Sequence, residues 1–316
     1  MPDDSTSQLS LEGLQNAPTK SQLIEIEAAA AELAAAAGVI LMDRFRSTLE
    51  IEYKDKQRSD PVTEVDREIE KLVHDEVTRD FPSHGVLGEE GADAGPVGAE
   101  YVWIIDPLDG TSNFINGLAT FACSIGVVWR GLPVAAALFL PTSRHLEPGV
   151  YRAHLGGGAH FNDESFSFRL TEAPPAARLS GLPGGTGGVT GPKGQRFGIA
   201  RTLGSIAVEM VYTAEGTFQM GLFEGGKIWD VAGGVMLCLE AGATAYVRDG
   251  KSSPWRPLAR FAGSDVSPPS VAQLRAWNQG LVVGAPDVLP ELAQDLTREQ
   301  GPLAVLRRLV LRESGD

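Results

Sequence analysis

The chain has 316 residues, of which 43% are hydrophobic and 22% charged, the make-up of a soluble globular protein long enough for two packed halves or one large domain. A formal net charge of −14 argues against a nucleic-acid-binding surface and implies that an anionic ligand is drawn in by something else, such as a bound metal ion. No apolar run reaches membrane-spanning length, Met1–Lys20 lacks the apolar segment of a secretory signal, and both cysteines, Cys123 and Cys238, suit buried thiols, so a reducing, cytoplasmic setting with no membrane partner is expected.

Residues 1–18 are polar and aperiodic and read as a disordered tail. Thr19 and Gln22 have capping-box spacing, and an Ala/Leu-rich helix is predicted from about Ser21 to Arg46. Leu49–Tyr53 alternates as a strand does. In Asp60-Pro-Val-Thr-Glu-Val-Asp66, Thr63 is a candidate N-cap with Asp66 at the third helical position, and the helix continues with an apolar stripe through Ile69, Leu72, Val73 and Val77. Val86-Leu87-Gly88 is a short strand that runs into Glu89-Glu90. Trp103–Phe114 reads WIIDPLDGTSNF, a buried strand expected to end on Asp106-Pro107, because proline cannot continue a central ladder. It leaves Asp106 and Asp109 at the carboxyl end of a strand, with Gly110-Thr111-Ser112 offering free N–H groups where a helix starts.

Thr120–Trp129 and Pro133–Leu140 flank a hairpin turn, and Val150–His154 with Gly156–Asn162 extends the antiparallel pattern. His145, His154 and His160 lack metal-site spacing and have no Cys partners, so structural or surface roles are expected and no zinc site. Glu172–Arg196, with its glycine-rich core at Gly181–Gly191, reads as a flexible surface loop. Gly204-Ser205 opens a helix to about Glu215, Gln219–Leu222 is strand-like, and Asp230 stands at the start of a helix through Ala241. Ala243–Val247 and Gly280–Gly284 are further strands, Pro286–Arg298 is a helix, and Pro302–Arg312 is a basic amphipathic helix packed on the body. Glu89, Asp106, Asp109 and Asp230 together are candidate oxygen ligands for a hard cation, beside a phosphate cradle.

Four blocks in order, Asp60–Asp66, Gly88–Gly91, Trp103–Phe114 and Trp229–Gly233, resemble the inositol monophosphatase family of magnesium-dependent, lithium-sensitive phosphatases, with Ala200–Ala207 as a weaker fifth. The resemblance implies a layered αβαβα sugar-phosphatase fold of the α/β class. Residues 19–170 would form an α+β half with the antiparallel sheet, 171–199 a Gly/Pro-rich loop region, and 200–316 an α/β half that completes the site. It also implies a phosphomonoester hydrolase using two to three Mg2+ ions, acting as a cytoplasmic homodimer. Carried over residue by residue, Glu89, Asp106 and the Leu108 carbonyl match the first metal site, and Asp106, Asp109 and Asp230 the second. Glu89 also matches the ligand of a looser third ion. Asp66 and Thr111 match the pair that orients the attacking water, so that Asp66, Glu89 and Thr111 are the catalytic candidates. Asp109, Gly110, Thr111 and Asp230 border the phosphate, while Gly204, Ser205 and Ile206 match the loop that meets the organic part of the substrate.

Asp106 and Asp109 are three apart, unlike the two-apart acids of aspartyl-phosphate enzymes, so direct attack by water is expected. The acidic residue that binds inositol hydroxyls in this family has Gln219 as its nearest counterpart, with Glu224 in a small insertion, which leaves the substrate open. Ser112-Asn113-Phe114 resembles the inositol phosphatase branch. The alternatives are a phosphatase for another small ester, such as a 3′(2′),5′-bisphosphate nucleotide, fructose 1,6-bisphosphate or histidinol phosphate, or a regulatory protein-binding member of the same fold.

Overall fold

The computed structural model describes residues 8–57, 61–183, 189–190, 196–250, 253–287 and 289–290. Helix α1 (Lys20–Arg44) begins at the predicted capping box: the Thr19 hydroxyl accepts from the Gln22 N–H, and the Gln22 side chain accepts from the Thr19 N–H. Its buried residues recur at three- and four-residue spacing from Leu23 to Leu41, which lays one stripe on the core. After the short antiparallel pair β1 (Ile51–Tyr53) and β2 (Pro61–Thr63), helix α2 (Glu64–Asp80) starts at a second capping box, with Thr63 as N-cap and Asp66 as its reciprocal acceptor.

The central layer is a seven-stranded sheet of β3 (Gly85–Gly88), β4 (Tyr101–Asp109), β5 (Ala122–Trp129), β6 (Leu132–Leu140), β7 (Gly149–His154), β8 (Gly158–Phe161) and β9 (Glu164–Phe166), paired in that order. Only β3 and β4 run parallel. The β5–β6 hairpin turns through Arg130 and Gly131, both at positive φ, as a two-residue turn requires. Every residue of β5 and β6 is buried, because helices cover both faces. On one face α1 comes so close to β6 that a Cβ at Gly38 would stand 2.3 Å from the Phe139 ring.

Helices α4 (Ile206–Ala214) and α5 (Ile228–Ala241) cover the other face, and α5 approaches β5 so closely that a Cβ at Gly126 would stand 2.7 Å from the Gly233 nitrogen. Beyond them lies a mixed six-stranded sheet. Its strands are β10 (Leu179–Gly181), β13 (Ile199–Arg201), β14 (Phe218–Phe223), β15 (Thr244–Arg248), β16 (Arg256–Pro257) and β17 (Gly280–Gly284). Two-residue strands β11 (Val189–Thr190) and β12 (Arg196–Phe197) pair separately. The short helices α3 (Thr111–Ile115) and α6 (Val271–Arg275) and a 3-10 turn at Pro175–Ala177 complete the described elements. The result is an α/β fold of stacked helical and sheet layers. Of the predicted helix after Pro286, residues 289–290 are helical and the rest lies largely outside the described residues, as does Pro302–Arg312.

Three expectations change. Residues 8–18 pack against the body instead of forming a disordered tail. The Gln8 side chain pairs with both the N–H and the carbonyl of Ala245 at 3.0 and 2.8 Å, and Leu9 is only 4% exposed. Within the expected flexible loop, Leu179–Gly181 is a strand between β13 and β14, held because its backbone ladders are paired on both sides and Leu182 is buried beside it. Its glycine-rich part falls largely outside the described residues. Finally, β4 does not stop at Asp106-Pro107. It continues to Asp109 through a register shift between Asp106↔Ser124 and Asp109↔Ala122, so Pro107 sits in a bulge where no ladder N–H is needed.

Candidate active site

The parallel register of β3 and β4 builds the first part of the site. Gly88 lies opposite Ile105, so the next residue on each strand, Glu89 and Asp106, emerges side by side at the same sheet edge; the Glu89 N–H donates to the Ile105 carbonyl at 3.1 Å. The bulge then turns β4 sharply. The Asp106 carboxylate accepts the Leu108 N–H at 3.1 Å, and Gly110 takes φ +94° as the cap of α3. A side chain at Gly110 would strike the Thr120 carbonyl at 2.9 Å. Because α3 has only five residues, the expected anion cradle here is a tight turn more than a long helix dipole.

From α2, Asp66 reaches the same place. Only 1% exposed, it accepts the Thr63 N–H at 2.9 Å and the Thr63 hydroxyl at 2.5 Å, while the Thr111 hydroxyl donates toward it at 3.3 Å and to the Leu108 carbonyl at 2.9 Å. Asp109 faces the opposite half: its carboxylate accepts the Ser205 hydroxyl at 2.8 Å and the Ala207 N–H at 2.5 Å. Ser205 is the N-cap of α4, preceded by Gly204 at φ +75°, and Ile206 is the first residue of that helix. Asp230, at the third position of α5, accepts the Lys227 N–H at 2.7 Å.

The carboxylates repel one another. Burial, and then the charges of Glu89, Asp109 and Asp230, hold the Asp106 carboxyl well above its usual range. Burial and Asp230 push Asp109 to about 8, and burial aided by Glu89 pushes Asp230 to about 7. Asp66 rises to about 6, chiefly from burial and partly offset by its hydrogen bonds to Thr63. One cation already answers this field: the Lys54 ammonium lies 2.8 Å from Glu89 and 2.7 Å from Glu90.

The donor set is all oxygen, anionic and under mutual repulsion, which suits a hard divalent cation. Among the described residues, no three His, Cys, Asp or Glu side chains form a ready cage. The carboxylates instead accept from Lys54, Ser205 and backbone N–H groups through Glu89 Oε1, Asp109 Oδ2 and Asp230 Oδ2.

The two sequence candidates for the substrate's hydroxyls have other partners. Gln219, 2% exposed on β14, donates to the Pro175 carbonyl and the Ser180 hydroxyl, and no contact joins it to the carboxylates. Its alternative, Glu224, pairs with the buried Arg248. Several residues of the site were not singled out in the sequence. Lys54 is one. Asn113, read in the sequence only as a branch marker, is another, its amide donating to the Thr120 and Leu203 carbonyls, both at 2.7 Å, which ties the Gly204 loop to α3. Glu70 is a third, and its place one helical turn after Asp66 was a usable signal.

The inositol monophosphatase family model matches residues 22–282. The chain belongs to the inositol monophosphatase family. An inositol-1-monophosphatase from Rhizobium meliloti is 32% identical over 239 residues, covering 72% of this chain and 88% of that protein. A Nus factor SuhB from Xylella fastidiosa is 32% identical over 235 residues, covering 70% and 80%. Among solved structures, an inositol monophosphatase from Anabaena shares the fold with a TM-score of 0.62 and 24% identity over 90% of this chain and 96% of that one. The protein is thus an inositol-monophosphatase-like phosphomonoester hydrolase.

Proposed function

We propose that this chain hydrolyses a small phosphorylated alcohol of the inositol 1-phosphate type with two to three Mg2+ ions, held by Glu89, Asp106, Asp109, Asp230 and the Leu108 carbonyl. The observation that carries this reading is the mutual repulsion of Glu89, Asp106, Asp109 and Asp230, which approach from the end of β3, from β4 and from α5, beside the hydrogen-bonded pair Thr111–Asp66. When bound, divalent cations neutralise phosphate charge and make water more acidic.

The protein's own groups do the rest. The Thr111 hydroxyl, already directed at Asp66, receives a hydrogen bond from the attacking water and hands the proton's path to the Asp66 carboxylate. With its pKa near 6, Asp66 is ionised at neutral pH yet basic enough to share that proton. The Gly110 and Thr111 N–H groups face the phosphate, where a loose transition state gains most from fixed donors and charge. Ser205 and Asp109, linked at 2.8 Å, join the substrate loop to the phosphate side, so that Gly204, Ser205 and Ile206 meet the alcohol.

Gln219 is assigned a structural role here, so selectivity among alcohols falls to that loop. On the family resemblance, the protein is proposed to work as a cytoplasmic homodimer.

The test is phosphate release from inositol 1-phosphate, fructose 1,6-bisphosphate, 3′-phosphoadenosine 5′-phosphate and histidinol phosphate, with Mg2+ or with EDTA. Mg2+-dependent release that is lost in Asp109→Asn is expected, with inositol 1-phosphate preferred. Preference for another ester would reassign the substrate, and release untouched by EDTA would overturn the metal-assisted mechanism.

A further inference from the structure

Glu89 sits on a loop, residues 89–93, between β3 and the isolated Val86↔Ala94 bridge, and two side chains outside the set of proposed metal ligands hold that loop. Glu70 of α2 is only 2% exposed. Its Oε2 accepts the Glu90 N–H at 2.8 Å and its Oε1 accepts the Ala92 N–H at 2.7 Å. Gly88 lies flat on this carboxylate, since a Cβ there would stand 2.3 Å from the Glu70 Cδ. Arg275, the last residue of α6, donates from Nη2 to the Gly88 carbonyl at 2.6 Å and to Asp93 at 2.5 Å. Its guanidinium also covers the ring of Trp229, 5.2 Å from the centroid, directly before Asp230.

We propose that Glu70 and Arg275 are positioning residues that together set the separation of Glu89 and Asp230. Glu70 fixes the backbone on either side of Glu89–Gly91. Arg275 ties that loop, through the Gly88 carbonyl, to the start of α5, through Trp229. Neither residue touches the substrate. Their task is to oppose the repulsion between the two carboxylates and the pull of Lys54 on Glu89, so that Glu89 in the first metal site and Asp230 in the second keep their places on either side of Asp106. This rests on the metal-assisted reading above.

The experiment is calorimetric titration of the full chain with Mg2+ alone, with melting temperature and kcat measured in parallel. Glu70→Gln keeps the volume but leaves one loop N–H without an acceptor, and the Mg2+ Kd should rise roughly ten- to a hundredfold. Arg275→Met should raise it about tenfold, with Arg275→Lys, which keeps the donors but not the planar stack, recovering part of the loss. Leu274→Ala, a buried neighbour on the same helix, should lower the melting temperature and leave the Mg2+ Kd unchanged. Wild-type Mg2+ affinity in both Glu70→Gln and Arg275→Met would overturn the clamp while leaving the phosphatase reading intact. If Glu70→Gln fails to fold, Arg275→Met decides, because that side chain is partly exposed. Absence of Mg2+ binding by the wild type would overturn the metal-assisted reading and the clamp with it.

Discussion

Neutralising one carboxylate of the cluster should stabilise the metal-free protein and abolish its activity. Asp109→Asn is the informative change, because an amide oxygen can still accept from the Ser205 hydroxyl and the Ala207 N–H. In the folded chain, Asp109 is raised from 3.8 to about 8. At pH 7 the folded protein therefore retains a proton that the unfolded chain has released, and folding grows less favourable as pH rises from the lower value toward the upper. The interval up to pH 7 corresponds to roughly 4 kcal/mol. Asp106, Asp109 and Asp230 share this repulsion, so the net gain from the substitution should be about 2–4 kcal/mol, or on the order of 4–8 °C in melting temperature. The assay is thermal unfolding in EDTA at pH 5 and pH 8. The wild type should melt lower at pH 8 than the variant does, the gap should narrow at pH 5, and Mg2+ should raise the wild-type midpoint more at pH 8. An Asp109→Asn protein that melts at or below the wild type in EDTA at pH 8, or a gap equal at both pH values, would refute the electrostatic reasoning.

Thr111→Ala should lower kcat roughly a hundredfold by removing the hydroxyl between water and Asp66, at a cost in stability of only about 1 kcal/mol, as activity and melting measurements on one preparation would show. Gly88→Ala places a methyl group 2.3 Å from the Glu70 carboxyl carbon, so chemical denaturation should reveal a loss of about 1–3 kcal/mol. Leu9→Ala should cost about 2–3 kcal/mol in the same assay, because this residue belongs to the core and not to a tail; its kcat should match the wild type.

The local elements followed from the chain itself because their signals act over three or four residues. Thr19/Gln22 and Thr63/Asp66 cap helices in the structure as their spacing predicts. WIIDPLDGTSNF marked the site because a buried strand, two acids and a glycine turn are contiguous, and the link to Glu89, Asp106, Asp109 and Asp230 came from motif order. Pairing was less legible. Nothing in Pro107 announces that a bulge will carry β4 past it, since the bulge depends on what β5 offers opposite. Gln8 and Leu9 look like tail residues until β15 supplies backbone partners and the core a place for the leucine.

By itself the sequence determined which residues are acidic, which segments can be helix or strand, and which family the chain joins. Only the tertiary structure decided how the acids share their charge and what holds them. Lys54 lies 35 residues before Glu89 and Arg275 lies 187 residues after Gly88, separations at which no local rule applies. Their meeting is set by the parallel register of β3 and β4 and by the stacking of layers, which are properties of burial over the whole chain. The same packing gave Gln219 the partners Pro175 and Ser180, because a strand residue faces whichever side its register dictates.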